Sequence, residues 1–217
     1  MVEQGNVIAV IGDLVASREL PKRDEVQRLL SESLASLSER NRAIVSPYTI
    51  TLGDEFQAVY CSATGLFLDL FTILRALHPV RARFALGVGP LTTPINPEQS
   101  LGMDGPAFHW SRSAMDRLKE QFSRKTRPGL FLMEGEQHEF RLVNPSLLLI
   151  SHICSRWKRN RLRVLELLMR GWQVDRIAED LHVSQQAVYK GIVAGAIDRV
   201  ILTLQEIERI IESSVRG

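Results

Sequence analysis

Residues 48–61 read YTITLGDEFQAVYC and combine two apolar runs with an acidic turn. The runs on either side of Gly53 are rich in β-branched and aromatic residues, which is typical of β-strands. Glycine followed by aspartate between two such runs predicts a β-hairpin with its turn at Asp54. A carboxylate is costly to bury among apolar residues unless a charged or hydrogen-bonding group meets it. The first question that the sequence raises is therefore which group meets Asp54.

Regular elements extend in both directions from this hairpin. Upstream, an apolar run over 7–11 ends at Gly12-Asp13 as a buried strand would, and apolar side chains recur at helical spacing over 23–37. Downstream, the patterns predict a helix over 63–77, a strand over 80–89, a third helix over 108–122 and a closing hairpin over 129–143. Two glycines inside the strand over 80–89, Gly87 and Gly89, indicate that another backbone approaches closely.

The order of these elements, β-α-β-β-α-β-α-β-β, predicts an α+β fold class. We expect a sandwich in which the helices lie on one face of a mainly antiparallel sheet. The C-terminal third has helical periodicity throughout, so an all-α region follows the sandwich. We predict an α/β domain over 1–145, a linker over 146–160 and a helical domain over 161–217.

Two aspartates follow glycines at predicted strand ends. In a β-α-β-β unit, Asp13 and Asp54 can lie side by side, and two convergent carboxylates suit Mg²⁺. Such an ion could hold the phosphates of a purine nucleotide, with further phosphate contacts from the polar residues after the first strand, Ser17, Arg18 and Lys22. The alternative is that each aspartate only caps the backbone of its own turn. Glu55 points to the opposite side of the strand from Asp54, so we expect it to face solvent or a salt bridge.

Three residues around the third helix have less specific roles. Asp104 either caps the start of that helix or joins the acidic cluster. His109 is expected to be a surface or partly buried residue rather than a metal ligand. Trp110 is expected to be a core residue rather than a platform on which a base stacks.

Composition and charge indicate a cytoplasmic protein. The chain has 217 residues and a net charge of +2, so its overall charge does not argue for a polyanion partner. Its two cysteines are not in a metal-ligand spacing, and no apolar run is long enough to cross a membrane. Locally, residues 156–163 read RWKRNRLR, with five basic residues and no acidic one. Such a run can bind phosphate, although a solvated linker has the same composition.

Four motifs in the first 145 residues resemble the SatD family of bacterial proteins: AVIGDLVASR, TITLGDEFQAV, RFALGVG and GMDGPAFHWSRSAM. At longer range, the layout is similar to the palm-like catalytic domains of class III nucleotidyl cyclases and GGDEF diguanylate cyclases. This resemblance implies a palm or ferredoxin-like sandwich in which Asp13 and Asp54 are metal ligands. The chain departs from active cyclases, because Leu52 replaces a motif glycine, and His109 and Ser113 replace the catalytic asparagine and arginine. The resemblance therefore implies nucleotide and Mg²⁺ binding rather than cyclisation.

Residues 174–192, VDRIAEDLHVSQQAVYKGI, have the spacing of a helix-turn-helix. We expect Ile177 and Ala178 to pack the first helix, Val183 to fill the core beneath the turn, and Ser184 to cap the second helix. His182 stands where the turn usually has glycine. The region resembles those that bacterial regulators and sigma factors use to bind DNA.

In that arrangement the start of the second helix presents four side chains to the DNA bases: Gln185, Gln186, Tyr189 and Lys190. The basic run would meet the phosphate backbone through Arg159 and Arg161. The alternative is a small helical bundle that docks on the first domain or dimerises. A final helix over 198–211 carries an apolar stripe, which needs either the chain's own core or a second subunit as a partner. A two-fold homodimer would suit a paired operator site.

The sequence favours a cytoplasmic DNA-binding regulator whose N-terminal domain is a nucleotide sensor or a degenerate cyclase. One alternative is a working nucleotidyl cyclase or transferase in which Asp13 and Asp54 hold the metal ions. A second alternative is that the C-terminal helices form a protein-interaction module with no role in DNA binding. In none of these readings does the sequence identify catalytic residues.

Overall fold

The computed structural model describes residues 5–16, 22–51, 53–121 and 129–216. Within them the protein is α+β, with a five-stranded mixed sheet and eight helices. The strands are β1 (Val7–Leu14), β2 (Ile44–Ile50), β3 (Glu55–Tyr60), β4 (Ala82–Gly89) and β5 (Phe131–Gly135). The helices are α1 (Arg23–Arg40), α2 (Leu66–Leu77), α3 (Pro106–Gln121), α4 (Phe140–Cys154), α5 (Arg159–Met169), α6 (Val174–Leu181), α7 (Gln185–Gly195) and α8 (Ile197–Arg216). No helix among the described residues is long and apolar enough to span a bilayer.

The sheet has the strand order β2-β3-β1-β4-β5. Only the β4–β5 pair is parallel, so the prediction of a mainly antiparallel sheet is confirmed. The predicted hairpin is also present: β2 and β3 pair, and the amide of Thr51 donates to the carbonyl of Glu55 at 2.8 Å. Gly53 supplies the left-handed backbone conformation in the turn, with φ of 61°.

Helices cover both faces of the sheet, so the expectation that they lie on one face is wrong. Alternate residues of β1 belong to different apolar clusters: Ile8 and Val10 pack with α1, α2 and α8, whereas Ala9 and Ile11 lie on the side of α3. Every residue of β1 and β4 is buried. The apolar run over 7–11 gives the physical reason. A strand that is apolar on both sides has no face suited to water, so both faces of the sheet are covered.

The close backbone approach predicted at Gly87 is confirmed. A Cβ at this position would lie 3.0 Å from the carbonyl carbon of Ala107, and closer still to the carbonyl oxygen. Helix α3 therefore rests directly on β4, which is possible only because residue 87 has no side chain. The approach at Gly89 is less close: a Cβ built there would lie 3.3 Å from the amide nitrogen of Ala107.

The second strand of the predicted closing hairpin is helix α4 instead. Its apolar residues Phe140, Val143, Leu147 and Ile150 are buried and follow helical spacing rather than alternation. The side chain of Asn144 makes the two hydrogen bonds that a neighbouring strand would make with Met133. Its Oδ1 accepts from the amide of Met133 at 2.9 Å, and its Nδ2 donates to the Met133 carbonyl at 2.8 Å. The outward backbone groups of Met133, on the free edge of β5, are thereby satisfied without another strand.

Helix α4 also runs through the predicted domain boundary at residue 145 and includes residues 146–154 of the predicted linker. A single apolar cluster includes residues from the sheet, from α2 and from α5 to α8. The division into two domains stays a prediction, but its boundary would have to fall after α4 rather than inside it.

The last helix packs within the chain. The buried residues of its apolar stripe, Val200, Leu204, Ile207 and Ile211, belong to the main core. Two carboxylates of α8 also reach the start of α2. Glu212 accepts from the amide of Ala63 at 2.7 Å, and Glu208 accepts from the amide of Phe67 at 3.2 Å. Unpaired N–H groups at a helix start favour such carboxylates. Of the two partners considered for the stripe, the chain's own core is the one observed, and a homodimer stays a prediction.

Stability should depend on pH through Glu208. Burial raises the pKa of this carboxyl from 4.5 to about 7, Phe67 N–H lowers it, and the nearby carboxylates of Asp69 and Glu212 raise it. The folded state then holds the proton more tightly than the unfolded chain, so stability is highest below about pH 4.5 and falls as pH rises to about 7. Glu208→Gln removes this titration. As pH rises from about 4.5 to about 7, the free energy of unfolding of the variant should increase by up to about 3 kcal/mol relative to that of wild type.

The measurement is urea unfolding of wild type and Glu208→Gln at a series of pH values. Glu206→Gln, on the exposed side of the same helix, is the control and should follow wild type. Parallel curves for wild type and Glu208→Gln would show that Glu208 titrates normally and would contradict the prediction.

Candidate functional site

The turn between α6 and α7 has defined geometry. Helix α6 ends at Leu181, and His182 takes the left-handed conformation with φ of 52°, the conformation that glycine usually supplies there. The predicted cap is confirmed, because the Ser184 side chain accepts from the amide of Ala187 at 3.2 Å. Ile177 and Ala178 are buried as expected. The chain therefore makes a sharp, capped turn between two short helices.

One packing expectation at this turn is wrong. Val183 does not fill the core; it is 43% exposed and lines an open cavity beside α7. The left-handed residue before it redirects the chain, so the side chain at 183 meets the cavity rather than the interior. Val188 is the residue of α7 that is buried against the core.

The start of α7 is exposed. Four predicted base-contacting residues lie on this surface: Gln185, Gln186, Tyr189 and Lys190. Tyr189 is 56% exposed, which is unusual for an aromatic ring in a domain of this size. The structure brings these side chains together on one helix surface, where an extended partner could reach them.

The basic run lies beside α7. Arg159 is exposed and Arg161 is half-buried at the start of α5. A cavity of about 330 Å³ is lined by residues of both regions, among them Arg156, Lys158 and Arg161 from the run and Ala187 and Gly191 from α7. Part of the run therefore lies beside α7, but the four predicted base-contacting residues do not line this cavity, and the DNA contacts stay a prediction.

The last residue of the run has internal partners. Arg163 donates from Nε and Nη2 to the Asp180 carboxylate, both at 3.1 Å. These bonds, followed by the nearby Glu166, raise the pKa of Arg163, and the pKa of Asp180 is correspondingly lowered. Arg163 ties α5 to α6 and is not available to a phosphate backbone.

At the other end of the molecule, Asp13 lies in a cluster of ion pairs. Strand pairing places Asp13 directly opposite both Glu55 on β3 and Arg83 on β4. Lys119 of α3 reaches between the two acids, with Nζ 2.8 Å from Asp13 Oδ1 and 3.7 Å from Glu55 Oε2. Arg112, also on α3, bonds Glu55 at 2.7 Å. The expectation that Glu55 belongs to a salt bridge is confirmed.

Arg83 is the buried cation of this cluster. Its Nε lies 3.9 Å from Asp13 Oδ2, and its Nη1 is buried with no hydrogen-bond partner among the described residues. Burial lowers the pKa of this guanidinium, whereas the Asp13 carboxylate raises it. In the ion pairs of the described residues, two carboxylates face three cations here, a charge balance that does not favour Mg²⁺.

The residues around Asp13 fit an ion-paired cluster better than a metal centre. Its carboxylate is 7% exposed and is occupied by Lys119. The described residues contain no group of three or more His, Cys, Asp or Glu side chains placed to hold a metal ion. The residue opposite Asp13 is Glu55 rather than Asp54, whose carbonyl accepts from the amide of Leu14 at 3.1 Å. The Mg²⁺ site at Asp13 and Asp54 stays a prediction.

Of the remaining predicted phosphate contacts, Lys22 is the one among the described residues, and these contacts stay a prediction. Lys22 is exposed and pairs with Glu25 at 3.3 Å, while Ser17 and Arg18 lie outside the described residues. Asp104 pairs with His109 at 2.9 Å on an exposed part of α3 instead of joining the cluster at Asp13.

Sequence reasoning missed Lys119 and Arg112 as partners of the acids. They lie seven residues apart on α3 and therefore on one face of the helix, which was the available signal. Nothing in the local pattern indicates that this face meets the ends of β1 and β3, because that contact depends on the crossing of α3 over the sheet.

Three comparisons with known proteins indicate what this chain is similar to. A family model described as the SatD family matches residues 7–208. A comparison with curated proteins found no match. Among solved structures, a crystal structure titled as a regulator of polyketide synthase expression from Bifidobacterium adolescentis is 14% identical, covering 95% of this chain and 85% of that chain. Its TM-score is 0.21, so this likeness carries no argument about fold or function.

Proposed function

This chain belongs to the SatD family, and we propose that it is a regulatory protein that binds DNA through a helix-turn-helix formed by α6 and α7. The observation that carries the proposal is the exposed start of α7, which follows a capped turn and presents Gln185, Gln186 and Lys190 to solvent. A recognition helix needs such a surface, because its N-terminal residues are those that reach base edges in the major groove.

Each exposed side chain has a role in this proposal. Each glutamine can form two hydrogen bonds with the edge of one adenine base, and Lys190 can reach guanine or a phosphate. Arg159 lies in the exposed part of the basic run and supplies phosphate contacts that add affinity without sequence preference. The adjacency of the basic run and α7 around one cavity supports this division of roles.

We propose that the α/β part acts as a regulatory domain rather than as a metal-dependent catalyst. A nucleotidyl-transfer enzyme would need Asp13 to hold a metal ion. The ammonium group of Lys119, 2.8 Å from Asp13, would have to withdraw first. The ion pairs of Asp13 and Glu55 with α3 support a structural role for these acids.

Replacing the exposed polar residues should separate two kinds of DNA contact. Arg159→Ala should weaken binding to every duplex and reduce the slope of log K against log salt by about 1, since one phosphate contact is lost. The double variant Gln185→Ala/Gln186→Ala should weaken binding only to the preferred sequence, by roughly ten- to a hundredfold. The measurement is fluorescence anisotropy with duplexes selected from a random pool, compared with an unselected duplex.

Arg209→Ala, an exposed arginine on α8 that pairs with Glu206, is the charge-matched control and should bind DNA like wild type. If wild type binds no duplex with a salt-dependent affinity, or if Arg209→Ala loses as much affinity as Arg159→Ala, the DNA-binding proposal is wrong. The C-terminal helices would then be a protein-interaction module.

A further inference from the structure

A cavity of about 440 Å³ lies where α1, α2 and α5 meet. Its distinguishing feature is four arginines from three helices: Arg40 from α1, Arg75 from α2, and Arg163 and the adjoining Arg170 from α5. Hydroxyl groups and one indole complete the wall, at Ser33, Ser36, Thr72 and Trp172. The volume is within the range of small-molecule sites in proteins, about 300–1,000 Å³.

One buried carboxylate holds three of the four arginines in position, and Arg163, which also bonds Asp180, contributes charge rather than free N–H groups. Glu166 is 2% exposed. Its Oε2 accepts from Arg75, and its Oε1 lies 3.1 Å from Arg170 and 3.6 Å from Arg163. A planar guanidinium anchored at one edge by such a bond keeps its remaining N–H groups in a fixed direction, which reduces the entropy lost when a ligand binds.

The cavity has more cationic donors than acceptors. Four arginines face two glutamates, Glu32 and Glu166, which leaves an excess of two positive charges on the lining. Two charged residues outside the lining cancel each other. Arg28 pairs with Glu32 and Asp180 pairs with Arg163, so the excess stays at two positive charges. Among the described residues Arg40 has no ion-pair partner, so its guanidinium is available to a ligand.

We propose that this arginine cavity is a binding site for a phosphorylated small molecule. A phosphate group carries close to two negative charges at neutral pH and several acceptor oxygens, which matches both the charge excess and the unused N–H groups. Arginine binds phosphate in a paired geometry that a single ammonium does not reproduce. The indole of Trp172 lines the cavity next to these charges, with Arg176 stacked on its ring at 3.6 Å, and provides apolar surface for the organic part of the ligand.

The site is independent of the proposed DNA contacts. The cavity shares Arg163 with the basic run, but none of the residues proposed to contact DNA lines it: the base contacts lie on α7, and the phosphate contact is Arg159. The proposal therefore stands or falls on direct binding measurements, whatever the outcome of the DNA experiments.

The test is isothermal titration calorimetry of the full chain at low ionic strength with inorganic phosphate, pyrophosphate and adenosine monophosphate as probes. We expect wild type to bind at least one probe with a stoichiometry of one. Arg40→Glu should weaken that binding at least tenfold, since Arg40 is exposed and does not hold Glu166, so its replacement leaves the fold intact. If adenosine monophosphate binds more tightly than inorganic phosphate, the ligand of the cavity is an organic phosphate. If the order is reversed, the ligand is free phosphate.

Arg42→Glu is the matched control. It makes the same change in net charge two residues away, at an exposed position outside the cavity lining, and should alter the affinity less than twofold. A second variant, Ser36→Glu, places a carboxylate on the cavity wall and should also weaken binding at least tenfold. The proposal is overturned if wild type binds none of the probes. It is also overturned if Arg40→Glu and Arg42→Glu lose the same affinity, because diffuse surface charge would then account for the binding.

Discussion

Gly87→Ala is expected to destabilise the protein by about 3 kcal/mol or more, at or beyond the upper end of the usual cost of overpacking a core. The new methyl group would meet the backbone of α3, at the carbonyl of Ala107 and the amide of Ser111. A flexible side chain could move aside, but these are helix backbone atoms of two residues, Ala107 and Ser111, that are themselves fully buried. The whole helix would have to move away from β4, and its contacts with the sheet would be lost.

Gly191→Ala is the matched control for this effect. A Cβ at Gly191 has no heavy atom within 4 Å, and the residue lies inside α7, so alanine should stabilise the protein by up to about 1 kcal/mol. Urea unfolding followed by circular dichroism measures both variants. A Gly87→Ala protein within about 1 kcal/mol of wild type would mean that α3 does not rest on β4 as described, since even modest overpacking costs that much.

Glu166→Ala is expected to cost about 3–5 kcal/mol, the usual penalty for removing one partner of a buried ion pair. The carboxylate is almost completely buried, and three arginines bond it or lie within ion-pair distance. Without it, the guanidiniums of Arg75 and Arg170, whose side chains are only 22% and 32% exposed, would repel each other. Because Arg75 is on α2 and Arg170 follows α5, the loss should loosen the contact between the α/β part and the C-terminal helices.

Two variants set the scale for this loss. Glu206→Ala removes an exposed pair with Arg209 and should change the free energy of unfolding by no more than about 1 kcal/mol. Glu166→Gln keeps an acceptor oxygen and should fall between the two. If Glu166→Ala unfolds at the same urea concentration as Glu206→Ala, the buried carboxylate does not hold the two regions together.

Much of the fold was predictable from local patterns. The hairpin around Gly53 and Asp54, helices α1 and α2, and the close approach at Gly87 all follow from residues that are neighbours in sequence. The wrong prediction at α4 has a local cause as well. Residues 138–143 are too few to distinguish alternation from helical spacing, and the helical period is clear only when Leu147 and Ile150 are included.

The candidate sites were predictable in part. The exposed start of α7 depends on one helix and its cap at Ser184, so its four polar residues could be placed from sequence alone. The surroundings of Asp13 could not. Its partners Arg83 and Lys119 are about 70 and 106 positions away, and they meet it through strand register and helix crossing.

The amino-acid order by itself determined the elements that arise within one turn or one hairpin: the capped turn at Ser184, the strand ends at Asp13 and Asp54, and the helical periodicity of the last third. Such features depend on bonds and periods that extend over only a few residues. Tertiary structure alone decided which charge meets which. It paired Asp13 with Lys119 and collected arginines from separate helices around Glu166, because electrostatic partners are set by distance in space and the sequence records only distance along the chain.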